Sequence, residues 1–139
     1  MTELVTAVVP THLRPTTLSQ TLRSIVVQRG VEVEIIVVDD ADDPRTHEVV
    51  NEIPAARLKV IENTGTPSAA SSRNIGLEHA SGSWVAFCDD DDLWAPDKLR
   101  LQLDALRRTD AIWSCTGAVT VGPDLRPIGH ERFDPLRVM

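Results

Sequence analysis

The sequence predicts an α/β fold in which a mostly parallel β-sheet packs against helices. Two observations lead to this prediction. Short apolar runs alternate with segments of helical period, as in the strand, helix, strand units of parallel sheets. Several of these runs are rich in β-branched residues and end abruptly at acidic or turn-forming residues, which is typical of strands buried on both faces.

The first two strands and the helix between them follow from this pattern. The run LVTAVV predicts a strand at 4–9. Apolar residues at i, i+4 and i+7 from Leu18 predict a helix with one buried stripe, which Gly30 closes. The β-branched run EIIVV predicts a second strand at 34–38 that is buried on both faces.

The next elements are separated by turn-forming residues. We expect a short helix at 45–52, followed by a strand LKVIE at 58–62. After the turn NTGTPS, the segment AASSRNIGLEHA predicts a helix at 69–80. The run WVAFC predicts the fourth strand at 84–88.

The last part of the chain predicts a helix and an extended region. Pro96 stands near the start of a helix that carries Leu99, Leu103 and Leu106 on one face. The apolar run at 111–121 predicts a long strand, and GPDLRPIG predicts a hairpin that returns on it.

Composition and charge restrict the classes of function. The net charge of −7 at pH 7, with scattered Lys and Arg, argues against a nucleic-acid partner. No linker divides the chain, so we expect a single domain over 1–139. The N-terminus lacks the pattern of a signal peptide or transmembrane segment, and the protein is expected in the cytoplasm. Cys88 and Cys115 lie in apolar stretches and are predicted to be buried free thiols.

Eight of the thirteen aspartates stand in two groups, and each group directly follows a predicted strand. Ligands of open parallel sheets bind beyond the carboxyl ends of the strands, so both groups should converge on one edge. The loop PTHLRP after the first strand should lie at the same edge. The two groups are Asp39, Asp40, Asp42 and Asp43, and Asp89, Asp90, Asp91 and Asp92.

The group at 89–92 has the composition of a divalent-cation site. Mg²⁺ and Mn²⁺ take one or two carboxylates and complete their shell with substrate phosphates and water. A solvated turn that caps the next helix is an alternative. A calcium loop is excluded because, counting from Asp89, position six is Trp94 and position twelve is Arg100, where such a loop needs Gly and Glu. The group at 39–43 is equally consistent with an ordinary loop, because Asp and Asn are common where a strand passes into a loop.

The chain resembles the family 2 glycosyltransferases over nearly its whole length. VTAVVPTHLRPTTLSQTLRSIVVQ is similar to the family's opening strand, loop and helix, and EIIVVDDADD to its second strand and base-binding acidic loop. VIENTGTPSAASSRNIGLEHASGSWVAFCDDDDLWAPDKLRLQL is similar to the stretch that leads through an Arg-Asn helix to the DxD motif. The resemblance implies a GT-A-like (Rossmann-like) fold with helices on both faces of the sheet and a C-terminal hairpin extension.

By position, the resemblance also implies how a nucleotide is held. Thr11 and His12 are expected to flank the nucleobase. Asp40, with Asp39 beside it, is expected to accept a hydrogen bond from a base N–H, as in uracil recognition. Arg73 is expected to help hold the nucleotide.

The DxD aspartates are Asp89 and Asp91. Asp89 is expected near the ribose and the metal, and Asp91 is expected to ligate Mn²⁺ or Mg²⁺. Asp92 extends the site, while Asp90 occupies the variable position and is expected to face water. The expected metal ligands are Asp91 and Asp89, and the expected nucleotide-sugar-binding set is Thr11, His12, Arg14, Asp39, Asp40, Arg73, Asp89 and Asp90.

This chain departs from the family pattern in two places. His12 and Leu13 stand where the family usually has an aromatic residue and an Asn, so the nucleotide stays open, with a UDP-sugar favoured. The family also has an acceptor-binding half with a catalytic Asp downstream of the DxD motif, and that half has no counterpart before Met139. Glu131 and Asp134 have no geometry in favour of that role, so no general base is assigned.

The expected function is therefore that of an inverting, metal-dependent glycosyltransferase, or of its donor-binding domain, which transfers a sugar from a nucleoside-diphosphate sugar to an acceptor hydroxyl. The alternative is a non-catalytic nucleotide-sugar-binding or assembly module that needs another chain or a C-terminal half. A nucleotidyltransferase is disfavoured because PTHLRP is not a Gly-rich, basic phosphate loop. The expected partners are a saccharide or other hydroxyl acceptor and a second copy in a homo-oligomer.

Overall fold

The structure, a computed structural model, describes residues 2–131, without the side chain of Glu131. Within this range, strands and helices alternate up to a final hairpin. The elements are β1 Leu4–Thr11, α1 Pro15–Val26, β2 Glu32–Asp39, α2 Pro44–Asn51, β3 Leu58–Glu62, α3 Ala69–Glu78, β4 Trp84–Phe87, α4 Lys98–Thr109, β5 Ala118–Val121 and β6 Pro127–Glu131.

The chain divides into two compact units, Met1–Arg100 and Leu101–Met139. The first unit contains a four-stranded sheet in the order β3-β2-β1-β4, and all three pairings are parallel. Helices connect the strands, as a parallel sheet requires. The predicted α/β fold with a mostly parallel sheet is therefore confirmed.

The core of the first unit is built on the two central strands. Apart from their first residues, β1 and β2 are almost entirely buried, which confirms the prediction of a strand buried on both faces for EIIVV. Helix α1 contributes one fully buried stripe, as its spacing predicts. The residues of that stripe are Leu18, Thr21, Leu22 and Ile25.

Helix α3 packs against β1 and β2 through a position where only glycine fits. A Cβ atom at Gly76 would overlap the side chain of Val8, which is fully buried in the sheet. Val8 belongs to a buried cluster with Ile36 and Val38. The helix therefore lies close to the sheet because it presents no side chain at this point.

A buried glutamate ties the amino end of the sheet together. The Glu34 carboxylate accepts a hydrogen bond from Thr6 Oγ1 at 2.7 Å and from the Ser81 N–H at 2.9 Å, and it pairs with Lys59 Nζ at 3.4 Å. Burial alone would raise the pKa of Glu34, but the Ser81 and Thr6 hydrogen bonds and the Lys59 charge outweigh it and lower the pKa to about 2. This cluster fixes the turn between α3 and β4 against the first two strands.

The second unit contains the predicted hairpin, in which β5 and β6 pair antiparallel. The prediction of a long strand over 111–121 is wrong, because regular strand occupies only Ala118–Val121. An apolar run forms a strand only where it finds a pairing partner, and Ile112 is 86% exposed. Cys115 is also exposed, so the prediction that both cysteines are buried holds only for Cys88.

Helix α4 carries its three predicted leucines, Leu99, Leu103 and Leu106, in buried positions. Among residues 2–131, no helix combines the length and the apolar character needed to cross a membrane.

Candidate donor-binding site

The carboxyl ends of β1, β2 and β4 meet at one edge of the parallel sheet. Thr11 and Asp39 are register partners at the ends of β1 and β2. Strand β4, paired with β1 on its other side, leads directly into the aspartates at 89–92. Both groups of aspartates therefore lie at the same edge, as the topology predicts.

The aspartates after β4 form a tight turn. The Asp92 N–H donates to the Asp89 carbonyl at 3.1 Å, which closes a four-residue turn. The side chain of Asp90 points inward, where it is buried and accepts a 2.8 Å hydrogen bond from Thr11 Oγ1. The expectation that Asp90 faces water is wrong, because the turn directs its carboxylate against the end of β1. Asp90 thus anchors the turn to the sheet.

The two DxD aspartates are exposed, and each contacts an arginine. Arg14 Nη1 lies 2.9 Å from Asp91 Oδ2 and 3.3 Å from Asp90 Oδ1. Arg73 Nη2, from α3, lies 2.5 Å from Asp89 Oδ1. Exposed ion pairs of this kind contribute little to stability. Their significance is that two predicted metal ligands and two predicted nucleotide-binding arginines come together.

This arrangement fits a divalent cation that shares its ligands with a substrate. Among residues 2–131, no group of three or more His, Cys, Asp or Glu side chains could hold a metal ion. Asp89 and Asp91, however, present carboxylates with side-chain exposures of 56% and 51%. Mg²⁺ and Mn²⁺ commonly bind through one or two such carboxylates and take their other ligands from phosphate and water. The donor set is therefore chemically suitable for either ion.

Buried residues flank the turn in the sequence, Cys88 on one side and Trp94 on the other. The Lys98 ammonium sits 4.4 Å from the centre of the Trp94 ring, which is the range of a cation–π contact. Burial, followed by the charges of Asp92, Asp89 and Asp91, raises the pKa of the Cys88 thiol to about 12. Partial burial and the charges of Asp89 and Asp91 also raise the pKa of Asp92.

The acidic loop after β2 contains residues of two kinds. Asp39 is buried, and its two oxygens accept hydrogen bonds from the N–H groups of Ala41 and Asp43. Asp43 caps α2 by accepting from the Arg45 N–H at 3.1 Å. The hydrogen bonds of these two aspartates shape the loop, so both residues are explained by loop formation at the end of a strand.

Asp40 differs from its neighbours because its side chain meets two other elements. Asn63 Nδ2 donates to Asp40 Oδ1 at 2.7 Å, and the hydroxyl of Ser72 donates to the same oxygen. Asn63 and Ser72 are not among the site residues that the sequence predicts. Two signals were present: Asn63 directly follows β3 at the same edge, and Ser72 precedes Arg73 on α3.

The loop after β1 brings the remaining expected residues to this edge. His12 is exposed, and Leu13 adopts a left-handed backbone with φ of 54° that redirects the chain into α1. A shallow cleft opens at the start of this helix. Its lining residues are Leu13, Arg14, Pro15, Thr16, Thr17, Arg45 and Asp91.

Residues 6–137 of the sequence match a known family model, Glycosyl transferase family 2. The chain belongs to this family. The predicted resemblance is thereby confirmed.

Three relatives illustrate the family's range. An Escherichia coli protein named UDP-Glc:alpha-D-GlcNAc-diphosphoundecaprenol beta-1,3-glucosyltransferase WfgD is 32% identical over 107 residues, which are 77% of this chain and 42% of that protein. TuaG, a putative teichuronic acid biosynthesis glycosyltransferase of Bacillus subtilis, is 31% identical over 127 residues, which are 90% of this chain and 50% of that protein. The chain therefore spans about half the length of these two relatives or less.

The third relative is a solved structure of the mannosyltransferase PcManGT from Pyrobaculum calidifontis in complex with GDP-Man and Mn²⁺. It superposes with a TM-score of 0.69 at 29% identity and covers 88% of this chain and 36% of that one. The fold of this chain is therefore the GT-A fold.

Proposed function

We propose that this chain binds a nucleoside-diphosphate sugar together with Mn²⁺ or Mg²⁺, and that it serves as the donor-binding part of an inverting glycosyltransferase. One observation carries this proposal. The exposed carboxylates of Asp89 and Asp91 lie beside the guanidinium groups of Arg73 and Arg14 at the carboxyl edge of a parallel sheet. Such an edge is where open α/β sheets bind nucleotides.

The two kinds of charge have complementary tasks toward a diphosphate. Asp89 and Asp91 would hold the divalent cation, which when bound neutralises charge that develops on the leaving diphosphate. Arg14 and Arg73 are forked donors suited to phosphate oxygens. The buried bond between Asp90 and Thr11 keeps the turn in place while its exposed neighbours exchange partners.

On the side of the nucleobase we assign Asp40 as the hydrogen-bond acceptor, with Thr11 and His12 close to the base. The carboxylate of Asp40 suits a base with a protonated ring nitrogen, such as uracil or guanine. The Escherichia coli relative is named for UDP-Glc, and the Pyrobaculum calidifontis mannosyltransferase was solved with GDP-Man. We favour a UDP-sugar as the donor.

An inverting transfer also needs a base that removes the proton of the acceptor hydroxyl. No carboxylate among the described side chains is assigned to this task, and the side chain of Glu131 and the whole of Asp134 lie outside the described part of the chain. We therefore assign donor binding to this chain and place the base on another segment or chain.

Calorimetric titration of the chain tests the proposal. UDP, GDP, dTDP and CDP are titrated with and without Mn²⁺, and we expect at least one to bind only when the ion is present. Asp91→Ala should weaken that binding by at least about tenfold, since it removes a carboxylate that holds the ion. Asp104→Ala, a change on α4, is the matched control and should leave the affinity unchanged. Absence of binding by all four nucleotides with Mn²⁺ would refute the proposal.

A further inference from the structure

The carboxylate of Asp40 is held on one of its two oxygens by side chains from two other elements. Asn63, just after β3, donates from Nδ2 to Oδ1 at 2.7 Å, and Ser72, on α3, donates from its hydroxyl to the same atom. Asn63 is 9% exposed and Ser72 is fully buried. Two buried donors therefore converge on one oxygen of a half-buried acid.

The orientation of the Asn63 amide is fixed independently of Asp40. Its Oδ1 accepts the Gly65 N–H at 3.0 Å, so the amide nitrogen must be the group that faces Asp40. The backbone N–H of Asn63 also donates to the backbone carbonyl of Asp39 at 2.8 Å. The loop after β3 is thus tied to the end of β2 by its backbone and by its side chain.

The two oxygens of Asp40 consequently differ. Two donors occupy Oδ1, which matches its two lone pairs. Within the described residues, Oδ2 receives no hydrogen bond from the protein. An ionised carboxylate oxygen accepts hydrogen bonds but donates none, so a ligand that pairs with Oδ2 must bring an N–H or O–H group.

We propose that Asn63 and Ser72 are positioning residues that fix the rotation of the Asp40 carboxylate, so that Oδ2 selects nucleobases with a protonated ring nitrogen over those without one. This inference rests on the proposed function, because it takes the ligand to be a nucleoside diphosphate. A carboxylate held in advance loses less freedom on binding than one that rotates. A base without a ring N–H leaves Oδ2 of the half-buried Asp40 carboxylate unpaired, and this lowers the affinity for that base.

The test compares each nucleotide with an analogue in which a methyl group replaces the ring proton, so that the donor is lost. UDP and N3-methyl-UDP, and likewise GDP and N1-methyl-GDP, are titrated into the full chain with Mn²⁺. We expect the wild type to prefer the unmethylated member of the better-binding pair. Ser72→Ala should lower the affinity for the unmethylated nucleotide by about tenfold and leave the affinity for its methylated analogue unchanged. A misplaced Asp40 carboxylate affects only a ligand that donates a hydrogen bond to it.

Ser71→Ala is the matched control. Ser71 lies on the same helix as Ser72. Its hydroxyl accepts a hydrogen bond from Asn63 Nδ2 at 3.3 Å and is not bonded to Asp40. It should leave the preference intact. In the background of Asp40→Ala, the further change Ser72→Ala should cost no additional affinity. Ser72→Cys, which keeps nearly the same volume but donates poorly, repeats the comparison if Ser72→Ala does not fold.

The outcomes separate this inference from the proposed function. If the wild type binds none of UDP, GDP, dTDP and CDP, the proposed function fails and this inference fails with it. If it binds CDP alone, whose base has no protonated ring nitrogen, only this inference is overturned. If it binds methylated and unmethylated nucleotides equally, or if Ser72→Ala weakens both equally or neither, the positioning role alone is overturned. A loss of affinity from Ser72→Ala in the Asp40→Ala background also overturns it.

Discussion

Thr11, the last residue of β1, donates a 2.8 Å hydrogen bond to the buried carboxylate of Asp90, 79 positions later in the chain. Replacement of Thr11 by Val keeps the shape but removes the donor. The Asp90 carboxylate would then be buried with one partner fewer. We expect Thr11→Val to lower the free energy of unfolding by about 1–3 kcal/mol, as measured by urea denaturation.

The control for this prediction is Thr16→Val, which alters an exposed threonine on α1. It should change the free energy of unfolding by less than about 0.5 kcal/mol. If both variants unfold at the same urea concentration as the wild type, Thr11 does not anchor the aspartate turn.

Glu34 predicts a specific dependence of stability on pH. Its folded pKa of about 2 lies below its ordinary value of 4.5, so the folded state binds the proton less readily than the unfolded state. The resulting stabilisation is fully present above pH 4.5 and is lost as the pH falls from 4.5 towards 2. Glu34→Gln should therefore lower the melting temperature at pH 7 and flatten its decline over that acid range.

Melting curves at pH 7, 4.5 and 3 measure this effect. Glu62→Gln, at an exposed position on β3, is the control and should follow the wild-type curve. Parallel pH profiles for Glu34→Gln and the wild type would mean that this carboxylate is not the source of the acid sensitivity.

Gly76 should respond to alanine in the opposite sense to an ordinary helical glycine. Alanine normally stabilises a helix interior by up to about 1 kcal/mol. At this position its Cβ would overlap the Val8 side chain, so we expect Gly76→Ala to destabilise the protein by about 1–3 kcal/mol. Thermal denaturation measures the change, and a higher melting temperature would contradict the close packing of α3 on β1.

A double variant shows whether Val8 is the cause. In the Val8→Ala background, which removes the atoms that clash, Gly76→Ala should cost less than it does in the wild type. Equal costs in the two backgrounds would place the strain elsewhere.

The two cysteines should differ sharply in reactivity. The Cys88 side chain is buried with a pKa of about 12, so the nucleophilic thiolate is nearly absent at pH 8, whereas Cys115 is exposed. We expect iodoacetamide to alkylate Cys115 in the native protein and Cys88 only after denaturation. Mass spectrometry of peptides from both conditions measures this, and equal native rates for the two thiols would be the contrary result.

Much of the fold was predictable because its signals are local. The period of the apolar residues marks α1, and the β-branched run EIIVV marks β2. The observed bounds differ from the predicted ones at the ends of strands. Strand β1 extends beyond the predicted Val9 to Thr11 because its pairing with β2 continues that far. The strand predicted at 111–121 failed because an apolar run does not reveal whether a pairing partner exists.

The site was predictable in its location but not in its internal contacts. The carboxyl-edge rule brings together the groups at 39–43 and 89–92 without any knowledge of side-chain directions. It does not reveal that Asp90 turns inward or that Asp39 closes its own loop, since both depend on the local backbone turn. Asn63 was not predictable as a site residue, because a single asparagine after a strand is common in ordinary loops.

The strand order β3-β2-β1-β4 has a consequence for how the protein comes to fold. Strand β1 is made first, yet its partner β4 follows only after α1, β2, α2, β3 and α3. The loop-closure entropy of that long intervening segment must be overcome before β1 and β4 can pair. During synthesis, the first three strands can assemble before β4 and the aspartate turn that follows it have been made. The edge that gathers the carboxylates and arginines is therefore among the last parts of the first unit to form.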